Sequence, residues 1–547
     1  EIGVRLVGSE MCIRDRIEMV KRIVYNAKIG KIRLSYILRE KYMPGISEIL
    51  SNDDFSRIVS DLCVDTIEDR NPKEYLEEYN GERHRRKTSV GFREPKKVAV
   101  YSDTEFETDP NTGEEKPKRL EDKPVPVAKI VTNIPKKIVR TAAAFLFGGD
   151  MIVSADNMDD DSLQDFKQVF VRKLKMKSVF MRFARIVLSE TKGAIVFYPV
   201  TKSNIKGTDK DGNPVFKKEV VLKAKILSTP KDDNVTNEFY PHFDDDDDMD
   251  GFIHKYTAMV NGRSCECVKI YTANEIITGI NDGQWVITKD KNLFGKIPVV
   301  YAEVDQPDWE DVAVLMDAYE MRLSRMSDTN DYFGDPMLKT YGQTNLPSKE
   351  TVGKELNFSM EVDPDTGTAY HGDAEYLSWQ QSIDSQKEEI ANERHEIFSG
   401  ASCPDLSFDN LIGIGDLSGV AREFMTIDAK IKATEQMEIF GPVVQRCVAI
   451  VQAGMARISH IKNAGAIEGN YFEVKFGSIL PKNLTEILQN LAIANGNKPI
   501  NSQETITAES PYTKNAKQEI ATMKKEEKEM AQNSNPFGAT FSANPDE

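Results

Sequence analysis

Apolar positions along the chain change their spacing several times, and each change predicts a different element. From residue 17 to about residue 80 the spacing is helical. Ile32, Leu34, Tyr36, Ile37 and Leu38 are followed by Ile46, Ile49 and Leu50, which predicts an N-terminal helical layer. A strand is expected at 97–101, and the polar, turn-rich stretch 103–126 reads as a surface loop or β-hairpin. Asn133, Ile134 and Pro135 open a helix: Asn is a good N-cap and Pro is tolerated in the first turn. Ile138, Ala142 and Phe145 then share one face, and Gly148 and Gly149 end it. One further helix is expected over 161–189, then a buried strand at 193–198. Short strands at 220–227, 252–260, 265–271 and 284–288 follow.

Beyond Pro298 the period lengthens again. Trp309, Val312, Met316, Tyr319, Leu323 and Met326 recur at alternating steps of three and four, a heptad seam that must pack against another helix. Asp308 is placed to cap this helix, with Asp311 at the capping-box spacing. Gly334 and Pro336 end it, a small β-like module with turns at 345–347 and 363–367 intervenes, and a more polar helix runs from about 379 to 399. Helix, small module, helix predicts an antiparallel pair carrying a compact tip. A glycine-bearing stretch at 403–419 then feeds a long helix, about 420–460. Val420, Phe424, Ile427 and Ile431 form one stripe on it, and Phe440, Val444, Cys447, Val451 and Met455 another. The stripe shifts by about half a turn near Pro442, so a kink is expected there, with the two halves packed against different neighbours. A strand at 471–476 and a helix from Pro481 follow, and the last fifteen residues read as disordered.

Composition changes the picture in three ways. With 547 residues, 40% hydrophobic and 29% charged, the chain holds enough apolar material for more than one folding unit. No continuous run of about eighteen apolar residues suggests a membrane span. The six cysteines, Cys12, Cys63, Cys265, Cys267, Cys403 and Cys447, are scattered as free thiols would be. A net charge of -17 argues against wrapping by nucleic acid, although a mostly acidic wall would let a polyanion slide past without gripping it. The first sixteen residues resemble a translated sequencing-adapter peptide, so that Met19 could be the true start.

Candidate chemistry is sparse. The basic cluster at 81–87 could meet phosphate or form a solvated turn. The acidic run 244–248 could hold a hard cation, or be a repelling, solvated loop. Asp209 to Gly212 lacks the ligands of a calcium loop and reads as a hairpin turn. Gly413, Gly415 and Gly419 match no dinucleotide fingerprint, and the loop lacks a P-loop lysine. His395 and Glu396 have no second histidine for a zinc motif, and no catalytic triad is evident, so no enzyme, metal or cofactor is expected.

The order of parts resembles the portal proteins of tailed bacteriophages, in particular the type of siphophages infecting Gram-positive hosts. The segments that carry it are 129–135 with the helix to Gly149, 270–276, 292–300 with the helix through Pro336, and Ser418 and Gly419 opening the long helix. The resemblance covers most of 125–495. It implies a mixed α+β, helix-rich portal fold: wing 17–307, first stem helix 308–335, clip 336–378 and second stem helix 379–402. A tunnel loop at 403–419 would follow, then a kinked long helix and return strand of the wing at 420–479, crown helices at 480–532 and a disordered tail at 533–547. It further implies a closed ring of about twelve copies at the capsid vertex. The ring would conduct double-stranded DNA during packaging and ejection, and dock the terminase large subunit, a head-tail connector or adaptor, scaffold and major capsid protein, with no membrane. Assembly would occur in the host cytoplasm. The tunnel loop would bring Asp409, Asn410, Leu411, Ile412, Gly413, Ile414 and Gly415 to DNA, with Lys430 and Lys432 as possible helix contacts. The heptad seam would then pack the stem against the same or the next subunit. An alternative is a head-tail adaptor ring or minor capsid protein without a packaging role, which would not need the stem, clip, stem insertion; a metal-dependent factor using 244–248 is a third.

Overall fold

The computed structural model describes residues 45–533 other than 65–70, 109, 111–112, 114, 156–157, 209–213, 231, 233, 247, 335–336, 342–360, 363–364, 366, 368, 371–372, 378–382, 406–423, 459–463, 480–483, 497–500 and 514. Helix outweighs strand, 47% to 26%, so the class is mixed α+β and helix-rich. The chain divides into two compact units. One comprises Glu1–Asp405 and Asp428–Gly477, the other Leu406–Ile427 and Ser478–Glu547.

The core of the first unit forms where four apolar faces meet. Helix Ile134–Phe147 presents Ile138, Val139, Ala142 and Leu146, and helix Met176–Glu190 presents Phe180, Phe183 and Val187. Phe147 packs edge-on against Phe440 and Phe476, with ring centroids 5.7 and 4.8 Å apart. The expected start of the first helix is correct, but Asn133 makes no side-chain cap bond. Of the two closing glycines, Gly149 has a packing reason: a Cβ there would lie 1.6 Å from the carbonyl oxygen of Gly477. Only glycine lets the strands Met151–Ala155 and Phe472–Phe476 pair so close to the helix end.

The single helix expected over 161–189 is broken. Asp160–Lys167 is α-helical, Gln168–Lys173 is a π-helical turn, and Met176–Glu190 resumes after Lys175, whose φ is 54°. Phe166 and Phe170 stack with centroids 5.2 Å apart and are fully buried. Burial of these rings fixes a kinked path that periodicity alone would read as continuous.

Two antiparallel sheets follow. The first is three-stranded, with Lys192–Thr208 between Val299–Glu303 and Pro214–Leu227. The expected strand at 193–198 is thus the buried start of a longer ribbon. The second is a five-stranded meander ordered Trp285–Lys291, Glu275–Asn281, Arg263–Tyr271, Met249–Val260, Asn237–Phe243. Helix Phe55–Leu62 lays Phe55, Ile58 and Leu62 onto its apolar face. Cys265 and Cys267 are buried and free in this sheet. In the acidic run between strands Asn237–Phe243 and Met249–Val260, the Asp244 carboxylate accepts from the amides of Asp246 and Asp248 at 3.0 and 2.9 Å, residue 247 lying outside the described residues. No group of residues able to hold a metal ion occurs among the described residues. The proposed turn at 209–212 lies outside them.

Three helices position the candidate site: α1, Ala313–Gly334, preceded by a 3-10 turn Glu310–Val312; α2, Ile383–Gly400; and α3, Ile427–Arg457. Between α1 and α2, Met337–Tyr341 pairs antiparallel with Asp373–Leu377, and Glu361–Val362 with Ala369–Tyr370, in line with a small β module. Helix α3 runs through Pro442 as one element. It is long and apolar enough on composition to cross a membrane, but 61% of that stretch is buried inside the protein, as in a core helix. Its two stripes behave differently. Phe440, Val444, Cys447, Val451 and Met455 are buried, whereas Phe424, Ile427 and Ile431 are 66%, 45% and 52% exposed. The two halves therefore differ in cover, the second buried within the chain and the first open; Val420 lies outside the described residues. In the second unit, helices Gln503–Glu509 and Ala516–Asn533 pack on each other after helix Leu484–Ala494.

Candidate functional site

The expected seam of α1 is real, and it is consumed within the chain. Trp309, Val312, Met316 and Tyr319 are buried in the main core, with Leu323 packed against it and Met326 half-buried. Trp309 also donates from Nε1 to Glu78 at 3.3 Å.

The flank of α1 next to the seam carries a strap. The extended segment 128–132 lies along the helix, and its alternate amides meet acceptors one turn apart. Thr132 N donates to Glu320 Oε1 at 2.6 Å, Ile130 N to Ser324 Oγ at 2.9 Å, and Ala128 N to Asp328 Oδ1 at 2.7 Å. Four helical residues rise about 6 Å and two extended residues about 6.6 Å, so the two repeats stay in step over three bonds. Arg93 closes the end on Asp328 Oδ2 at 2.7 Å. Burial pushes the Asp328 carboxyl up, but the Ala128 amide and Arg93 outweigh it and hold it below the ordinary value.

The arginines of the basic cluster at 81–87 pair with carboxylates, Arg83 with Glu74 and Glu77. Arg85 and Arg86 both reach Glu310 at 2.6 Å, and Arg85 also pairs with Glu78. These guanidiniums fix helix Pro72–Asn80 to the start of α1.

Residues 406–423, which include the expected contacts Asp409, Asn410, Leu411, Ile412, Gly413, Ile414 and Gly415, lie outside the described residues. What precedes and follows them is firmly held. Before them, Asp405 accepts from Lys137 Nζ at 2.6 Å and Arg394 Nε at 3.2 Å. Both cations also lie over the Phe398 ring, at 4.2 and 5.6 Å from its centroid. Burial pushes the Asp405 carboxyl up, and the bonds and charges of Lys137 and Arg394 more than reverse this, holding it below its ordinary value.

After them, Lys432 on α3 turns inward. Its ammonium donates to Asp308 Oδ1 and to the carbonyl of Ala401, both at 2.9 Å. Gln436, one turn on, donates to the same Asp308 oxygen at 2.9 Å. Asp308 is therefore a buried counter-ion, its side chain 6% exposed, and not the expected helix cap. Burial raises its pKa even though Lys432 opposes the shift. One ion pair thus ties the start of α3 to the residue before α1 and to the chain just after α2. Lys430 is half-buried with interactions of its own.

Asp405, Lys137 and Arg394 escape notice in the sequence because nothing local marks them, and Asp308 is marked only as a helix cap; Lys137 and Asp405 are 268 positions apart. The arrangement anchors the chain on either side of 406–423.

A family model, "Phage portal protein, SPP1 Gp6-like", matches residues 77–533. Among solved structures, the neck of an empty gene transfer agent (GTA) particle computed with C6 symmetry contains a chain 12% identical, with a TM-score of 0.33, covering 69% of this chain and 88% of its own. A chain from the virion of a native gene transfer agent particle is 13% identical, with a TM-score of 0.32 and the same coverages. No curated protein matches.

Proposed function

The chain belongs to the SPP1 Gp6-like family of phage portal proteins, and from that membership we propose that it forms a ring at the capsid vertex that conducts double-stranded DNA during packaging and ejection. It is a portal protein of a phage-like virion, and the family is structural, not enzymatic. The single observation that carries the proposal is the family match over 77–533.

In this proposal residues 17–307 with 420–479 form the wing, α1 and α2 the stem, 336–378 the clip, and 480–532 the crown. The ring has about twelve copies, as closed assemblies with one repeated interface allow. It assembles in the host cytoplasm with scaffold and major capsid protein, and docks the terminase large subunit and a head-tail connector. Residues 403–419 are the channel loop. Asn410, Leu411 and Ile412 are neutral, so they touch phosphates without gripping them. The inward pairing of Lys432 supports this division of labour: the helix cation holds the base of the loop, and is not spent on DNA.

Incorporation of a photo-crosslinking amino acid at Leu411, followed by irradiation of DNA-filled particles, tests the assignment. DNA adducts are expected at 411 and not at Met259, a 69%-exposed position in the five-stranded sheet. Equal adducts at both positions, or none at 411, would contradict it.

A further inference from the structure

The face of the α1/α2 hairpin that the seam leaves over carries a groove of about 550 Å³. Val314, Asp317, Ala318, Met321 and Arg325 line it from α1, spaced three and four residues apart, and Ile390 lines it from α2. Two features mark this groove as incomplete. Val314 is 68% exposed. Arg325 is exposed and makes no ion pair among the described residues, although Arg322, three residues earlier, pairs with both Glu389 and Glu393.

The opposite face of the hairpin is complementary. Asp384, Glu388, Ala391 and His395 follow one another at helical spacing on the outside of α2 and are all exposed. Glu388 makes no ion pair among the described residues. Ala391 is small enough to let another helix approach. A copy therefore carries an apolar-floored groove with an unpaired cation on one side and an acidic, open helix face on the other. Those are the two unlike patches that a head-to-tail ring requires.

The register can be worked out. Arg322 bridges Glu389 and Glu393, so it stands level with about residue 391 of its antiparallel partner helix. Three residues further along α1, Arg325 is level with Glu388. Rotation about an axis parallel to the hairpin leaves this height unchanged, so the same pair meets between neighbours. We propose that the groove receives the outer face of α2 from a second copy of this chain, with Arg325 paired to the neighbour's Glu388. This contact rests on the ring assembly proposed above, and identifies one interface that closes it.

Charge reversal tests it. Arg325→Glu and Glu388→Arg are each expected to lower the fraction of full-length protein in rings at least tenfold, measured by mass photometry, and the double reversal to restore most of it. Both sites are exposed, so thermal melts of the monomers should be unchanged. As an independent readout, an Arg325→Cys, Glu388→Cys variant should give a ladder of disulfide-linked multimers from oxidised rings. Wild-type rings that persist through either single reversal, a double reversal that fails to recover, or a missing ladder would overturn the contact while leaving the ring intact. Absence of rings in the wild type would instead overturn the assembly itself.

Discussion

At the residue scale the pairing of Lys432 with Asp308 is decisive, because it determines what a buried charge costs. Removing one member of a buried ion pair leaves the other desolvated and uncompensated, a loss on the order of 3 kcal/mol. Lys432→Met should therefore destabilise the protein by about that amount at pH 8 in urea titrations. The pH dependence has a definite sign. Burial already raises the Asp308 pKa, so a proton on its carboxyl favours the folded state, and that stability is lost as pH rises through the folded value. Without Lys432 the value rises further, so the deficit of the variant should shrink as the pH is lowered toward 5. A deficit that is small, or unchanged between pH 8 and 5, would show that the pair does not anchor α3. A lysine on the long helix invites assignment to DNA, since its counter-ion lies in a different part of the sequence. Only the fold brings it to Asp308.

At the element scale much was legible, for reasons that also explain the misses. The α1 seam, the helix after Asn133, the β-rich middle and the strand at 472–476 are set by periods of side-chain polarity that act locally. The π-helical break at Gln168–Lys173 was not legible, because the rings it buries meet residues distant in sequence: Phe166 stacks on Phe472 with centroids 3.9 Å apart. Nor was the exposure of Phe424 and Ile431, since an apolar stripe looks the same whether its cover comes from its own chain or another. The strap at 128–132 was invisible for a third reason: its acceptors are polar residues on a helix face, a pattern usually read as solvated. The double variant Glu320→Ala, Ser324→Ala removes two of its three register bonds while keeping helix propensity high. Hydrogen exchange at the Thr132 and Ile130 amides should then accelerate by at least tenfold, with α1 itself unchanged; protection equal to wild type would show that the strap is held by something else.

For the whole molecule, family membership explains why so much of the structure consists of anchors. The ion pairs of Asp405 and Lys432 hold the chain on either side of 406–423, Arg85 and Arg86 of the 81–87 cluster are held by Glu78 and Glu310, and no metal-binding cluster occurs among the described residues. A net charge of -17 suits a conduit for a polyanion, which must guide without holding. The exposed first stripe of α3 and the groove beside α1 are surfaces that a ring would cover and a solitary subunit would leave wet. The most direct measurement is electron microscopy of the purified full-length protein, with particle mass determined on the same sample. The account predicts closed rings of about twelve subunits around an axial hole wide enough for a DNA duplex. A monomer that persists at high concentration, without rings even in the presence of scaffold and capsid protein, would contradict it.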